Sequence, residues 1–555
     1  MNSRNHLIVF ILLLFATQAG AQQLSLNYRF SYDTSLVKPQ LKVNLSFKGN
    51  NSGKTVLQFP DRWASQQELH KSISSFIVRS KDVTIDSNGP TKRTLTHKPG
   101  QSIEIEYTIT QDWEGQFTYP KNYRAVIDKK YFQLTGYALF INPETDPSAI
   151  TSVQFDWKNM PKGWSIGNSF HSGSRQYKGE TMWGNIQNSI FVGGDFRLYA
   201  TTINKETIHV AIRGSDWKFK DSAMAHLVND IIGRERDFWN EHTQPYYFVS
   251  LVPFESKGQL NGSSLHNSFF LGMTPEFALD MNVQYLLSHE YFHRWIGGNG
   301  KLSLAIAKEE EGYWFSEGFT DYYTYKFLHS TGMISLKKYI EMINKRLAEY
   351  YLSPLREKDN KTMAENFWTT RDYQMMPYRK GFTYALYLDW LLQSSTDKTS
   401  NLDRFLFESL EYTKIGKFDE AFFKGFMQKL SGKSIDSVHN EWIIKGKLIQ
   451  LDPSTASIIG DSLIVTLQQM GAYDIGFDYE ASSKAKKITG LRENSSAWQA
   501  GLREGQTVKG WSMQFDNISI PAVVTILDEN GKEKKVSYSP QSPEKFSVPQ
   551  IVGQN

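Results

Sequence analysis

His289-Glu290-Tyr291-Phe292-His293 sets two imidazoles four residues apart with a carboxylate beside the first. The stretch from Asn282 to Trp295 carries apolar residues at Val283, Leu286, Leu287 and Phe292, which predicts a buried helix ending at Gly297-Gly298. On such a helix positions 289 and 293 share one face, so both imidazoles reach one Zn²⁺ at the roughly 2.0 to 2.1 Å of a zinc–nitrogen bond. Glu290, one step round, points toward a metal-bound water rather than at the metal. The chemistry this set performs is metal-assisted hydrolysis: the ion lowers the pKa of water to about 7, and the carboxylate takes its proton as attack begins.

A catalytic zinc takes three protein ligands and a water, so one ligand is still to be found. Trp314-Phe-Ser-Glu-Gly-Phe-Thr-Asp-Tyr-Tyr323 supplies Glu317 in an apolar and aromatic frame, where a carboxylate is costly to bury unless paired or metal-bound. Asp321 follows at i+4 on the same face and can accept the outer N–H of a ligand histidine. Each has a structural alternative: Glu317 as a helix N-terminal carboxylate or salt-bridge partner, and Asp321 in a purely structural role.

The 555 residues are enough for about three or four domains, and 40% hydrophobic and 14% aromatic residues exclude a disordered or fibrous chain. Lys+Arg 62 against Asp+Glu 58 leaves a formal +4 with the basic residues scattered, which argues against nucleic acid or an anionic membrane as partner. Cys 0 removes disulfides, thiolate nucleophiles and Cys-ligated zinc, so a metal has only His and carboxylate to sit on. At the start, Arg4, the apolar run Leu7 to Ala16 and Ala19-Gly20-Ala21 have the form of a signal peptide over 1–21. The run is about half the length of a membrane span, so cleavage after Ala21 and an exported periplasmic or secreted protein with no membrane anchor are expected.

From 22 to 205 short alternating runs such as Leu41–Phe47 and Ile103–Ile109, broken by turn residues, predict an antiparallel β domain of sandwich type. Helical periods, as in Ala223–Ile232 and Ile334–Leu347, then place a mainly helical domain over 206–450. Beyond Asp452-Pro453 short segments joined by glycines predict a third, β-rich domain over 451–555.

HEYFH followed by WFSEGFTDYY resembles the gluzincin metallopeptidases, and the long stretch from Arg294 to Ser316 resembles the glycyl aminopeptidase family rather than the aminopeptidase N group. Tyr131–Phe140, Pro377–Gly381 and Tyr384–Asp389 agree with it. The resemblance implies a thermolysin-like catalytic domain and one Zn²⁺ per chain. It also implies that Tyr378, in the tyrosine-x-lysine-glycine stretch, stabilises the oxyanion. Asp474–Asp478 and Ile488–Gly505 resemble a PDZ domain, which takes an extended C-terminal peptide onto a sheet edge. Family members line the cleft with a glutamate that grips the substrate's α-amino group. Asn261–Phe269 has none, and His266 occupies the region as the candidate substrate contact, with Glu255 and Glu276 as other charges.

These residues lead to a multidomain α+β chain: an exported zinc metallopeptidase acting on peptide substrates, with His289, His293 and Glu317 on zinc, Glu290 as base and Tyr378 at the oxyanion. A peptide-binding or scaffolding protein built on the same fold is the alternative. The same residues also serve hydrolysis of a non-peptide amide or an epoxide.

Overall fold

The structure is a computed structural model that describes residues 24–203, 205–297, 300–513, 517–518 and 520–554. The expected signal peptide lies outside them. The described residues divide into two compact units, one within 24–115 and 120–196, the other within 116–119 and 197–554.

The first unit is built of sheets. Ser25–Asp33 turns Leu26, Tyr28, Phe30 and Tyr32 inward in strict alternation and pairs antiparallel with Gln40–Lys48, which pairs with Ser102–Ile109. The expected antiparallel arrangement fails inside the sheet, because Ser25–Asp33 also pairs with Ile150–Asn159 in parallel. These strands belong to a six-stranded mixed sheet, beside two four-stranded ones. The core is aromatic: Phe30 stacks on Trp157 with centroids 3.7 Å apart, and the buried hydroxyls of Tyr28 and Tyr107 donate to the carbonyls of Ile141 and Leu139.

The second unit opens with five strands: β1 (Arg197–Ile203), β2 (Glu206–Ile212), β3 (Tyr246–Pro253), β4 (Leu260–Leu265) and β5 (Ser268–Met273). Their spatial order is β1-β2-β3-β5-β4. β1 pairs with β2 along its whole length, so the boundary between the units falls before residue 197 rather than at 205. Helix α1 (Asp221–Phe238) provides the crossover between the parallel β2 and β3, burying Met224, Val228, Ile231 and Ile232 at helical spacing. β4 is left as the edge strand.

Helices follow: α2 (Met281–Phe292), α3 (Tyr313–Ser330), α4 (Leu336–Tyr351), α5 (Asn360–Asn366) and α6 (Arg371–Ser395). α2 begins where Asp280 accepts the Asn282 N–H, and it ends at Phe292, earlier than expected, with His293 as its cap residue. α3 and α6 cross at glycines. A Cβ on Gly318 would stand 2.3 Å from the Cα of Gly381, and one on Gly381 would stand 1.9 Å from the Trp314 carbonyl oxygen. Only two missing side chains allow this approach, and it brings the residue before Gly318 to the helix that carries Tyr378.

The residues expected to form a third domain cluster with the second unit. β6 (Leu463–Tyr473) pairs antiparallel with the final strand, Gln541–Gly553. Between them, β7 (Val508–Ser512), β8 (Ala522–Leu527) and β9 (Glu533–Tyr538) form a sheet in that order over a small core that includes Ile475, Phe477, Ile488 and Val524. The final strand is β10. After Ile475-Gly476-Phe477, where peptide addition would need a strand edge, the chain turns into helix α7 (Tyr479–Ala485), capped by Asp478. The Gly476 N–H donates to Asp474 Oδ1 at 2.8 Å, and Arg492 pairs with the same carboxylate. Among the described residues no helix is long and apolar enough to cross a membrane.

Gly381→Ala forces a methyl group against backbone, which cannot rotate away, so the variant should lose about 1–3 kcal/mol or more of stability. Denaturant unfolding of the variant beside wild type measures it.

Candidate metal centre

α2 packs Val283, Leu287 and Tyr291 into the core, and this orientation carries His289 and Glu290 to the buried side, facing α3. From α3, Glu317 projects between the two imidazoles. Its Oε2 lies 3.3 Å from Nε2 of His289 and 3.4 Å from Nε2 of His293. One ligand atom from each of the three residues falls within 4.8 Å of the other two. Gly297 sets the spacing: its φ of +72° is one L side chains rarely adopt, and a Cβ there would sit 2.0 Å from the Cβ of Ser316.

The far side of each imidazole is also held. Nδ1 of His293 lies 3.1 Å from the Ile296 carbonyl, and Nδ1 of His289 lies 3.1 Å from Asp321 Oδ1. Both Nε2 atoms are thereby turned to the shared centre, the arrangement in which a neighbour fixes a metal ligand's tautomer. Asp321 has no exposed surface. Burial alone would raise its carboxyl, yet Arg346, with Nη2 at 2.7 Å, and His289 hold it below the usual carboxylate range. The Tyr285 hydroxyl donates to it as well.

The charges around His289 test whether a metal fits. Burial opposes protonation of this imidazole, yet Asp321 and Glu317 together drive it up to about 10. Burial likewise opposes ionisation of Glu317, and the imidazoles of His293 and His289 hold it well below its ordinary value. The Glu317 carboxylate facing both Nε2 atoms makes the space among the three groups suited to a cation. Two imidazole nitrogens and one carboxylate oxygen are the donor set of a catalytic zinc.

Glu290 and Tyr378 stand at this centre. Burial pushes the Glu290 carboxyl up, against the pull of His289 and His293. The edge strand β4 passes over it so closely that a Cβ on Gly262 would lie 3.3 Å from Glu290 Cγ. The Tyr378 ring stacks on His289 with centroids 5.7 Å apart. Burial and the neighbouring Glu317 push the Tyr378 phenol well above its ordinary value, so it keeps its proton and remains a donor.

The structure thus brings together His289, Glu290, His293, Glu317, Asp321 and Tyr378. His266 lies in the turn between β4 and β5, with Nε2 3.1 Å from Asn267 Nδ2; burial pushes it down to about 4, which leaves it neutral. Glu255 accepts the Phe117 N–H at 3.0 Å, and Glu276 accepts the Gly258 N–H at 2.8 Å, so each carboxylate is tied to backbone. Sequence reasoning missed Tyr285 and Arg346. Tyr285 lies one turn before His289 on its face. Arg346 interrupts the apolar stripe Tyr339, Met342, Ile343, Leu347 of α4, a signal legible only as an unpaired charge in a core position.

Residues 282–385 match the family model of the M61 glycyl aminopeptidases. This stretch runs from the first turn of α2 into α6 and holds every residue of the metal centre. An aminopeptidase N family protein from Idiomarina loihiensis shares the fold at a TM-score of 0.69 and 17% identity, over 96% of this chain and 98% of that one. Yeast LTA4 hydrolase in complex with bestatin is similar at a TM-score of 0.48 and 14% identity, over 78% of this chain and 68% of its own. Aminopeptidase A of Legionella pneumophila, in complex with aspartic acid, is similar at 0.46 and 13%, over 96% and 56%. No curated protein matches the chain.

Glu241 staples the loop that follows α2, accepting from Arg294 at 2.7 Å, Trp295 Nε1 at 2.7 Å and Lys301 at 2.6 Å. Burial opposes its ionisation, but Lys301, Arg294 and Trp295 hold the carboxyl down to about 2. A carboxyl depressed in the folded state stabilises above its unfolded pKa, near 4.3, and that stabilisation is lost as pH falls toward 2. Glu241→Gln should therefore cost on the order of 2 kcal/mol at pH 7. Urea unfolding midpoints of the two proteins should converge as pH falls from about 5 to about 2.

Proposed function

We propose that the chain is a zinc-dependent metallopeptidase that hydrolyses peptide bonds. The observation that carries this reading is the convergence of His289, His293 and Glu317 with Glu290 and Tyr378 beside them. The M61 match over the same residues supports it. Zinc bound by the three ligands would polarise the scissile carbonyl and lower the pKa of a water to about 7. Glu290 takes the proton of the attacking water and passes it to the leaving amine. Tyr378, protonated and beside His289, donates a hydrogen bond to the carbonyl oxygen as negative charge gathers on it, a contribution of up to several kcal/mol in comparable sites. β4, the edge strand over Glu290, would form one wall of the peptide cleft.

The reading includes export by the amino-terminal leader, with a β-sandwich-like first unit and a PDZ-like carboxy-terminal module. A peptide-binding scaffold is less well supported. The metal set is complete, and the Gly476 N–H that would receive a peptide carboxylate is already bonded to Asp474.

A mixed peptide library read by mass spectrometry tests the activity. Wild type should cleave, and Glu290→Gln or a chelator should reduce the rate by at least about 10²-fold. The positions of the cuts distinguish removal of N-terminal residues from internal cleavage. Intact wild-type peptides, or cleavage unaffected by both controls, would refute the reading. Sequencing of the exported protein should begin at Gln22; a first residue further upstream would refute cleavage after Ala21.

A further inference from the structure

β10 belongs to the carboxy-terminal module, yet its last turns of chain lie against α4. Val548 to Ile551 are buried there. Asn344 of α4 binds Ile551 as a neighbouring strand would: its Oδ1 accepts the Ile551 N–H at 2.7 Å and its Nδ2 donates to the Ile551 carbonyl at 2.9 Å. Gln550 completes the clasp, donating to the Asn344 carbonyl at 3.1 Å. The two residues so joined are 207 positions apart in the chain.

Arg346 lies two positions after Asn344, about 200° round the helix, and so faces the opposite way, into the core. There its guanidinium reaches Asp321 at 2.7 Å, Tyr325 at 3.1 Å and Glu349 at 3.0 Å. Asp321 holds the Nδ1 side of His289, and Glu349 lies 3.6 Å from Arg379, the residue after Tyr378. α4 thus has one face clasped by β10 and the other engaged with Asp321, which holds His289, and with Arg379, the residue after Tyr378.

We propose that β10 is a working part of the metal centre: by holding α4 in register through Asn344, it positions Arg346 on Asp321 and thereby His289 on the metal. Arg346 and Asn344 are positioning residues. The inference rests on the zinc reading above, and it gives the carboxy-terminal module a role inside the catalytic unit. Loss of a neighbour that orients a ligand typically weakens metal binding 10- to 100-fold, and the same scale applies here.

The test uses the full-length chain and Zn²⁺ itself, titrated against a chromophoric chelator. The variants are Asn344→Leu, which removes both bonds to Ile551, Asn344→Asp, which keeps only the acceptor, and Arg346→Met. Circular dichroism and thermal melting establish that each variant is folded, and hydrogen exchange at Ile551 reports release of the strand. Zn²⁺ affinity should fall about 10- to 100-fold in Arg346→Met and Asn344→Leu and by less in Asn344→Asp. The absorption spectrum of the Co²⁺-substituted protein should change in the same order. A folded Asn344 variant with fast exchange at Ile551 but Zn²⁺ affinity within twofold of wild type would overturn the link while leaving the zinc reading intact. A wild type that binds no Zn²⁺ would overturn both.

Discussion

A carboxylate with no exposed surface is the point on which the centre turns. Asp321 is removed from water, and it stays ionised only because Arg346, Tyr285 and His289 surround it. That ring of contacts fixes the orientation of His289 and draws three helices together around a buried arginine. Without Arg346 the carboxylate would carry an uncompensated charge in the core. Without Asp321 the arginine would keep only Glu349 and Tyr325, and His289 would lose the partner on its Nδ1 side.

Helix geometry does the rest of the positioning. α2, α3 and α6 each contribute to the site, and the close approaches at Gly297, Gly318 and Gly381 are what allow their side chains to converge. The aromatic core of the second unit, with Trp295, Trp314, Phe315 and Tyr384 fully buried, makes those helices stiff supports. A catalytic constellation benefits from such supports because small displacements of its groups cost much of their effect.

Much of the site was legible in the sequence because its spacings are local. His289 and His293 at i+4, and Glu317 and Asp321 at i+4, each declare a shared helix face. Tyr378 was reached through resemblance rather than spacing, since one tyrosine among 28 carries no local mark. Arg346 and Asn344 were not legible, because their partners lie on other elements and, for Ile551, 207 positions away. The boundary at 197 was missed for the same kind of reason: β1 alternates like the strands before it, and only its pairing with β2 assigns it to the second unit. The carboxy-terminal loop had the expected composition, but Asp478 caps a helix there, a local hydrogen bond competing with a strand.

In the proposed function, His289, His293 and Glu317 bind one zinc ion with a position left open for water. X-ray absorption at the zinc edge of the purified full-length protein tests it directly. The expected result is one zinc per chain bound by two imidazoles and light oxygen donors at about 2.0–2.2 Å. Protein without stoichiometric zinc after loading, or a shell of four protein ligands that leaves no place for water, would contradict it.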